Sequence, residues 1–342
     1  MIRKLLLLFL LAVLTGVLAL QELERRWQEP LTLPANGQPL LVQSGETLRA
    51  VAGRLQQSGA IRYPELLILY ARWTGADQQI KQGEYLLTPP LTSLQLLRLL
   101  QSGKVMHYQV TLPEGITLDQ AIAVLAGEEQ LKQVLQGVTD PRVLDMVAPY
   151  ESPEGWFFPD TYHFTRDSTD LELLQRAYAR MVAVLDEEWQ GRATELPYES
   201  PYEALIMASI IERETGLPAE RAQIAGVFVR RLQQGMRLQT DPTIIYGLGE
   251  AFDGNLRRSH LSDDNNLYNT YRITGLPPTP IALPGRDSIH AALHPAAGKA
   301  LFFVARGDGG HVFSETLADH RAAVRKYQLR RNKNYRSSPE KP

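Results

Sequence analysis

Residues 204–215 read Ala204-Leu-Ile-Met-Ala-Ser-Ile-Ile-Glu-Arg-Glu-Thr215, a run of helical length almost without helix breakers. At about 100° per residue, Met207, Ile210, Ile211 and Glu214 fall on one side of such a helix. Glu214 lies angularly between Ile210 and Met207, inside the apolar face, whereas Glu212 points the opposite way, beside Leu205 and Ser209. A carboxylate held among aliphatic side chains is poorly solvated, which raises its pKa. An acid so raised keeps a proton near neutral pH and can donate it, as general acid catalysis requires. Glu214 is thus the candidate acid and Glu212 its rival. The alternative without chemistry is a Glu that snorkels or pairs with a cation near a helix end.

Downstream, Gly216-Leu-Pro218 breaks the helix, and a second runs from Ala219 to Gln234 with Ile224, Val227, Phe228 and Leu232 spaced for packing. Two helices across a short turn imitate a helix-turn-helix, with Arg230, Arg231 and Arg237 for charge. The neutral total charge and the export-type N-terminus argue against nucleic acid as a partner. Leu238-Gln-Thr-Asp-Pro242 is polar and turn-forming, and Thr243 to Gly247 is a short helix or strand. Leu276 to Gly285 carries four prolines and is rigid and extended. Ser288 to His294 is helical, Leu301 to Ala305 is a strand, and Gly307-Asp-Gly-Gly310 turns it into a return strand at His311-Val-Phe313. A basic helix follows from Leu317 to Arg331.

Upstream, Asp170 to Glu188 is an amphipathic helix, and Gly155-Trp-Phe-Phe-Pro-Asp-Thr-Tyr162 crowds aromatics into a loop that is costly to expose. Leu131 to Val147 reads as a helical insert, Thr117 to Leu125 as a helix and His107 to Leu112 as a strand. Pro39 to Gln43 is a strand, a helix starts with Ser44 or Thr47 able to cap it, Pro64 and Gly75 bracket a second helix, and Gly83 to Thr88 is a strand. Thr92 to Gly103 adds a short helix. Glu22 to Gly37, with Pro30 and Pro34, reads as a stalk.

At the N-terminus, Arg3 and Lys4 precede an uncharged apolar run from Leu5 to Leu20, and Glu22 and Glu24 follow it. The layout fits an uncleaved single-pass anchor whose basic side stays inside, or a signal peptide with Val17-Leu-Ala19 as the cleavage site. Either way the body is exported. The chain has 342 residues, 44% hydrophobic and 22% charged, with a net charge of -2 and no cysteine. That removes disulfides, thiolate metal sites and cysteine nucleophiles together. The seven His are read as scattered, without His-Glu-x-x-His or a tight pair, so neither metal nor another cofactor is expected. A cysteine-free exported chain fits a bacterial envelope.

Glu212-Arg-Glu-Thr215, Glu220-Arg221, Gly235-Met-Arg-Leu-Gln-Thr-Asp-Pro-Thr243, Tyr246-Gly247, Tyr268-Asn-Thr-Tyr271, Thr274-Gly-Leu-Pro-Pro278, Pro284-Gly285, His294-Pro295 and Gly310-His-Val-Phe313 occur in that order. This constellation resembles the endolytic murein transglycosylases, the MltG or YceG-like family, over nearly the whole chain. The strand–helix–helix–strand unit resembles a LysM module through Ser44-Gly-Glu-Thr47 and Gly83-Glu-Tyr85. From this resemblance together with the local readings above, the chain reads as an α+β protein: anchor or signal sequence at 1–21, stalk at 22–38, LysM-like βααβ module at 39–104, mixed α/β catalytic domain at 105–330, disordered tail at 331–342. The resemblance maps the catalytic acid of the family onto Glu214.

The activity implied is lytic cleavage of peptidoglycan between N-acetylmuramic acid and N-acetylglucosamine, leaving 1,6-anhydro ends. It implies a single-pass protein of the bacterial inner membrane, its body in the periplasm. The partners it implies are glycan strands, nascent ones being terminated, and penicillin-binding synthases. Thr240 and Asp241 suit sugar hydroxyls or the orientation of Glu214, Asn269 and Tyr271 suit acetamido or ring contacts, and Thr215 belongs to the same string. Each also has a purely structural reading, and the aromatic loop at 155–162 is either a core corner or the wall of a sugar subsite. Two other functions stand beside this one. A hydrolytic muramidase would use Asp241 or Glu220 as a second carboxylate, and a non-catalytic wall-binding scaffold would use neither.

Overall fold

Thr47, Thr92 and Thr117 each accept a hydrogen bond from the backbone three residues on, and the last two complete capping boxes with Gln95 and Gln120. Such local signals start several helices of the computed structural model, which describes residues 2–329. The side chains of residues 2–8 and the tail at 331–342 lie outside the described residues. The described residues divide into two compact units, those up to 108 with 163–168, and 109–162 with those from 169 onward.

The first unit begins with helix α1 (Ile2–Gln28), followed by β1 (Gln38–Val42), α2 (Leu48–Gln57), α3 (Pro64–Thr74), β2 (Gly83–Leu87) and α4 (Ser93–Ser102). Strands β1 and β2 pair antiparallel, Gln38 facing Leu87 and Val42 facing Gly83. The apolar faces of α2 and α4 and the inner face of this ribbon close one core around Val51, Leu55, Leu67, Tyr85, Leu96 and Leu100. Gly75 ends α3 in the left-handed conformation, φ 71°. Phe9, Leu10, Leu11, Leu14, Leu18 and Leu20 are exposed on α1. Among the described residues, no helix is long and apolar enough to cross a membrane.

The remaining elements are β3 (Tyr108–Thr111), α5 (Leu118–Ala126), α6 (Pro141–Val147), β4 (Thr161–Phe164), α7 (Asp170–Gln190), α8 (Pro201–Glu214), α9 (Pro218–Gln233), α10 (Asp241–Leu248), α11 (Arg258–Leu261), α12 (Arg286–Leu293), β5 (Phe302–Ala305), β6 (His311–Ser314) and α13 (Leu317–Val324). The described strands form three two-stranded sheets, β1–β2, β3–β4 and β5–β6. In the second unit α8 is central, with α7, α9, α10 and α12 against it. Residues Ala204 to Ile211 are all buried, so α8 is apolar on every side and carries no single stripe.

Two further expectations change. The segment expected to be helical from Leu131 is helical only from Pro141, because side chains occupy the backbone before it. Asp170 accepts from the amides of Val134 and Leu135, and Asp140 from those of Gln136 and Arg142. The aromatic loop is a core corner. Trp156, Phe157, Phe158 and Tyr162 are buried, and Trp156 stacks on Tyr202 at 5.6 Å. Gly226 in α9 allows a close crossing, since a Cβ there would stand 2.5 Å from the Ala296 carbonyl oxygen.

Candidate active site

Helix α8 starts under a cap from Ser200 with Pro201 in its first turn, and ends because Thr215 turns extended before Gly216 and Pro218. Its last residue is Glu214. The residue keeps intermediate exposure at the helix end, while its carboxyl group is closely surrounded by protein. Desolvation pushes that carboxyl up to about 7, and the negative charge of Asp241 adds to the effect. The Thr240 hydroxyl, which donates to Glu214 Oε1, and the positive charge of Arg231 oppose it. A C-terminal helix position also disfavours negative charge.

The partner loop is built with some strain. Gln239 adopts φ 52°, an uncommon conformation for a residue with a side chain, and its amide donates to the Thr270 carbonyl at 3.1 Å. Thr240 follows directly. Its amide donates to Thr270 Oγ1 at 3.0 Å, which leaves its hydroxyl free to face Glu214. Asp241 opens α10 and is exposed, and the Tyr271 hydroxyl donates to its Oδ1 at 2.7 Å. Proximity to Asp241 and Glu214 adds to the burial that holds the Tyr271 phenol above its ordinary value. Glu214, Thr240, Asp241 and Tyr271 therefore stand together, as four of the expected site residues.

The other two belong to the scaffold. Asn269 has no exposed surface. Its amide donates to the carbonyls of His260 and Asp263, and its oxygen accepts from the Tyr271 amide, so it organises the loop. Thr215 is buried, with its hydroxyl accepting from the Leu217 amide at the start of α9.

Glu212 is also accounted for. Its side chain is 6% exposed, its Oε2 accepts from the Gly285 amide at 3.0 Å, and its Oε1 pairs with Arg221 at 3.2 Å. Arg221 reaches Asp287 and Glu114 as well. Glu212 thereby ties α8 to the proline-rich loop. Glu220 accepts from the His311 amide at 2.9 Å and pairs with its Nδ1 at 2.7 Å, which fixes the β5–β6 hairpin to α9.

Sequence reasoning missed three features. Arg231 is buried, donates to the carbonyls of Leu301 and Leu238, and lies over the Phe302 ring at 5.2 Å, so it is a structural clamp rather than a surface charge. Glu154 is buried beside a cavity of about 520 Å³ whose wall also includes Asp119, Arg213, Pro242, Tyr246 and Glu250. Arg213 and Pro242 are the chain neighbours of Glu214 and Asp241, although neither acid lines the cavity. Burial pushes the Glu154 carboxyl up to about 7 despite bonds from the Leu118 amide and the Tyr246 hydroxyl. Finally, His290 and His294 are four residues apart and their rings stack at 4.2 Å, so the histidines do include a tight pair. That spacing was visible in the sequence.

A profile of the YceG-like family matches residues 40–326. The chain is 33% identical over 310 residues to a Bacillus subtilis protein named endolytic murein transglycosylase, covering 85% of each. It is 28% identical over 320 residues to a protein of the same name from Streptococcus pneumoniae strain D39, covering 82% of this chain and 56% of that protein. A solved structure of a yceG-like protein from Listeria monocytogenes is similar at a TM-score of 0.53 and 29% identity, covering 84% of this chain and 99% of that one. The chain belongs to the YceG-like family.

Proposed function

We propose that this protein is a lytic transglycosylase that cleaves the glycan strands of peptidoglycan, with Glu214 as its acid and base. One observation carries the reading: a carboxyl group held near pH 7 by burial, on the last residue of a buried helix, beside a hydroxyl donor and an exposed Asp–Tyr pair. The relatives named endolytic murein transglycosylase support the substrate class.

In the proposed reaction, protonated Glu214 gives its proton to the glycosidic oxygen as the bond to the anomeric carbon breaks. Charge builds on that carbon and the ring oxygen. The resulting carboxylate takes the proton of the sugar's own 6-hydroxyl, whose oxygen closes onto the anomeric carbon. Atoms balance without water: one strand leaves with a new hydroxyl, and the other ends in a 1,6-anhydro ring. One carboxyl serves both transfers, so no second carboxylate is needed to activate water. Thr240 holds the Glu214 carboxyl in place. Asp241 and Tyr271 are the side chains through which the sugar is held.

Hydrolysis is the second reading, because Asp241 is an exposed carboxylate close enough to Glu214 to raise its pKa. Weighing the products of purified peptidoglycan separates the two, since an anhydro end is lighter than a reducing end by one water. Anhydro ends made by wild type and by Asp241→Asn support the lyase. Reducing ends made by wild type and lost in Asp241→Asn establish hydrolysis.

The cellular setting belongs to the same proposal. The apolar run from Leu5 to Leu20, exposed on α1 from Phe9 to Leu20, serves as a single-pass inner-membrane anchor. The periplasmic body then acts on strands near their site of synthesis, ending nascent chains beside penicillin-binding synthases. The βααβ unit acts as a LysM-like contact for glycan. Fractionation of cells carrying the full chain, with protease access to the body from the periplasmic side only, is the expected result. Release of the body into the soluble fraction removes the anchor.

A further inference from the structure

On the face of the second unit where α7 meets α12, one trio of side chains gathers metal-ligating atoms. Glu188 is near the end of α7, His290 is in α12 and His294 caps that helix. One donor atom from each lies within 4.8 Å of the other two. Atoms that share a zinc ion at bond lengths of about 2.1 Å stand at most about 4.2 Å apart. In the tetrahedral arrangement usual for zinc they stand about 3.4 Å apart, so the donor atoms have at most about 1.4 Å to close, a distance side-chain rotation covers.

The surroundings fit that use. His290 lies in the last turn of α12 and His294 caps it, and the cap brings the second imidazole over the first. The two rings stack at 4.2 Å with 26° between their planes. Glu188 Oε2 faces His290 Nδ1 at 2.8 Å, while Oε1 accepts from Arg286 Nε at 2.8 Å. Arg286 also pairs with Glu187, so its charge is shared between two carboxylates. An outer hydrogen bond that fixes a ligating carboxylate is a regular part of metal sites. Glu188 itself is buried, whereas the His290 side chain is 58% exposed, so the trio has one fixed ligand and an open approach.

We propose that Glu188, His290 and His294 bind one divalent transition cation of the zinc class, pinning α12 to α7. Two imidazoles and one carboxylate select zinc, nickel or copper over magnesium or calcium, which prefer all-oxygen sites. Water completes the coordination. The cation takes no part in the reaction proposed above; because α12 also packs on α8, it stiffens the support of the helix that ends in Glu214.

The test is titration of the full-length protein, stripped with chelator, with zinc chloride by calorimetry, together with its melting temperature with and without zinc. One equivalent bound by wild type, weakened by more than about tenfold in both His290→Ala and His294→Ala, is expected. A zinc-dependent rise in melting temperature that both variants lose is expected with it, and magnesium chloride should produce neither effect. His290→Ala alters an exposed side chain and is the variant whose folding is least at risk. Absence of saturable binding by wild type, or equal binding by wild type and the variants, overturns the proposal.

Discussion

Thr240 donates its hydroxyl to the Oε1 of Glu214 from a loop 26 residues downstream. The bond favours the ionised carboxylate, so it restrains the pKa that burial raises. The same contact holds the carboxyl in one orientation.

Replacing that donor has two consequences of opposite appearance. Thr240→Val keeps the shape but removes the hydroxyl, so the Glu214 pKa rises further and the acid stays protonated to higher pH. The alkaline limb of the pH–rate profile moves upward, while the plateau of kcat/KM falls roughly fivefold, equivalent to about 1 kcal/mol of lost orientation. A pH profile on peptidoglycan checks both. A downward move of the alkaline limb contradicts the role given to Thr240.

The site also weakens the fold in a pH-dependent way. Glu214 ionises at about 7 in the folded protein against 4.5 for an unperturbed carboxyl, so between those values the folded state binds more protons. Stability therefore falls as pH rises from about 4.5 to about 7, and the penalty persists above that range. Glu214→Gln cannot ionise and is expected to be more stable than wild type at pH 8, by up to about 3 kcal/mol. Glu154 shifts in the same direction, so the slope shrinks in the variant without vanishing. Urea unfolding at pH 5 and pH 8 measures the difference, and an equal pH slope in the two proteins rejects the burial argument.

Glu212 answers differently. Glu212→Leu leaves Arg221 buried with less compensation and the Gly285 amide without its partner. Stability drops by about 3 kcal/mol, while the folded fraction keeps turnover close to wild type. Denaturant midpoints paired with rates per folded molecule test this. Abolished turnover in a folded Glu212 variant would show that the wrong acid has been chosen.

Much of this was legible locally. Threonine caps with Gln three residues on, Pro64 and Gly75 around α3, and the glycine-rich turn between β5 and β6 are signals that act within a few residues. Glu214 was singled out by its place among aliphatic residues, although α8 proved buried all round. The spacing that singled it out described a stripe the helix does not have. Long-range partners were not legible. Nothing near Asn269 or Thr215 says that backbone groups use up their side chains, and nothing near Glu220 announces His311, 91 residues away. Glu154 acquires its environment from α5 and α10, which only folding brings together.

The most direct measurement is the mass of the fragments released from purified peptidoglycan by wild type and by folded Glu214→Gln. Wild type is expected to yield fragments ending in anhydro-muramic acid and Glu214→Gln none, with its circular dichroism unchanged. Anhydro fragments from folded Glu214→Gln at a rate near wild type would contradict the account.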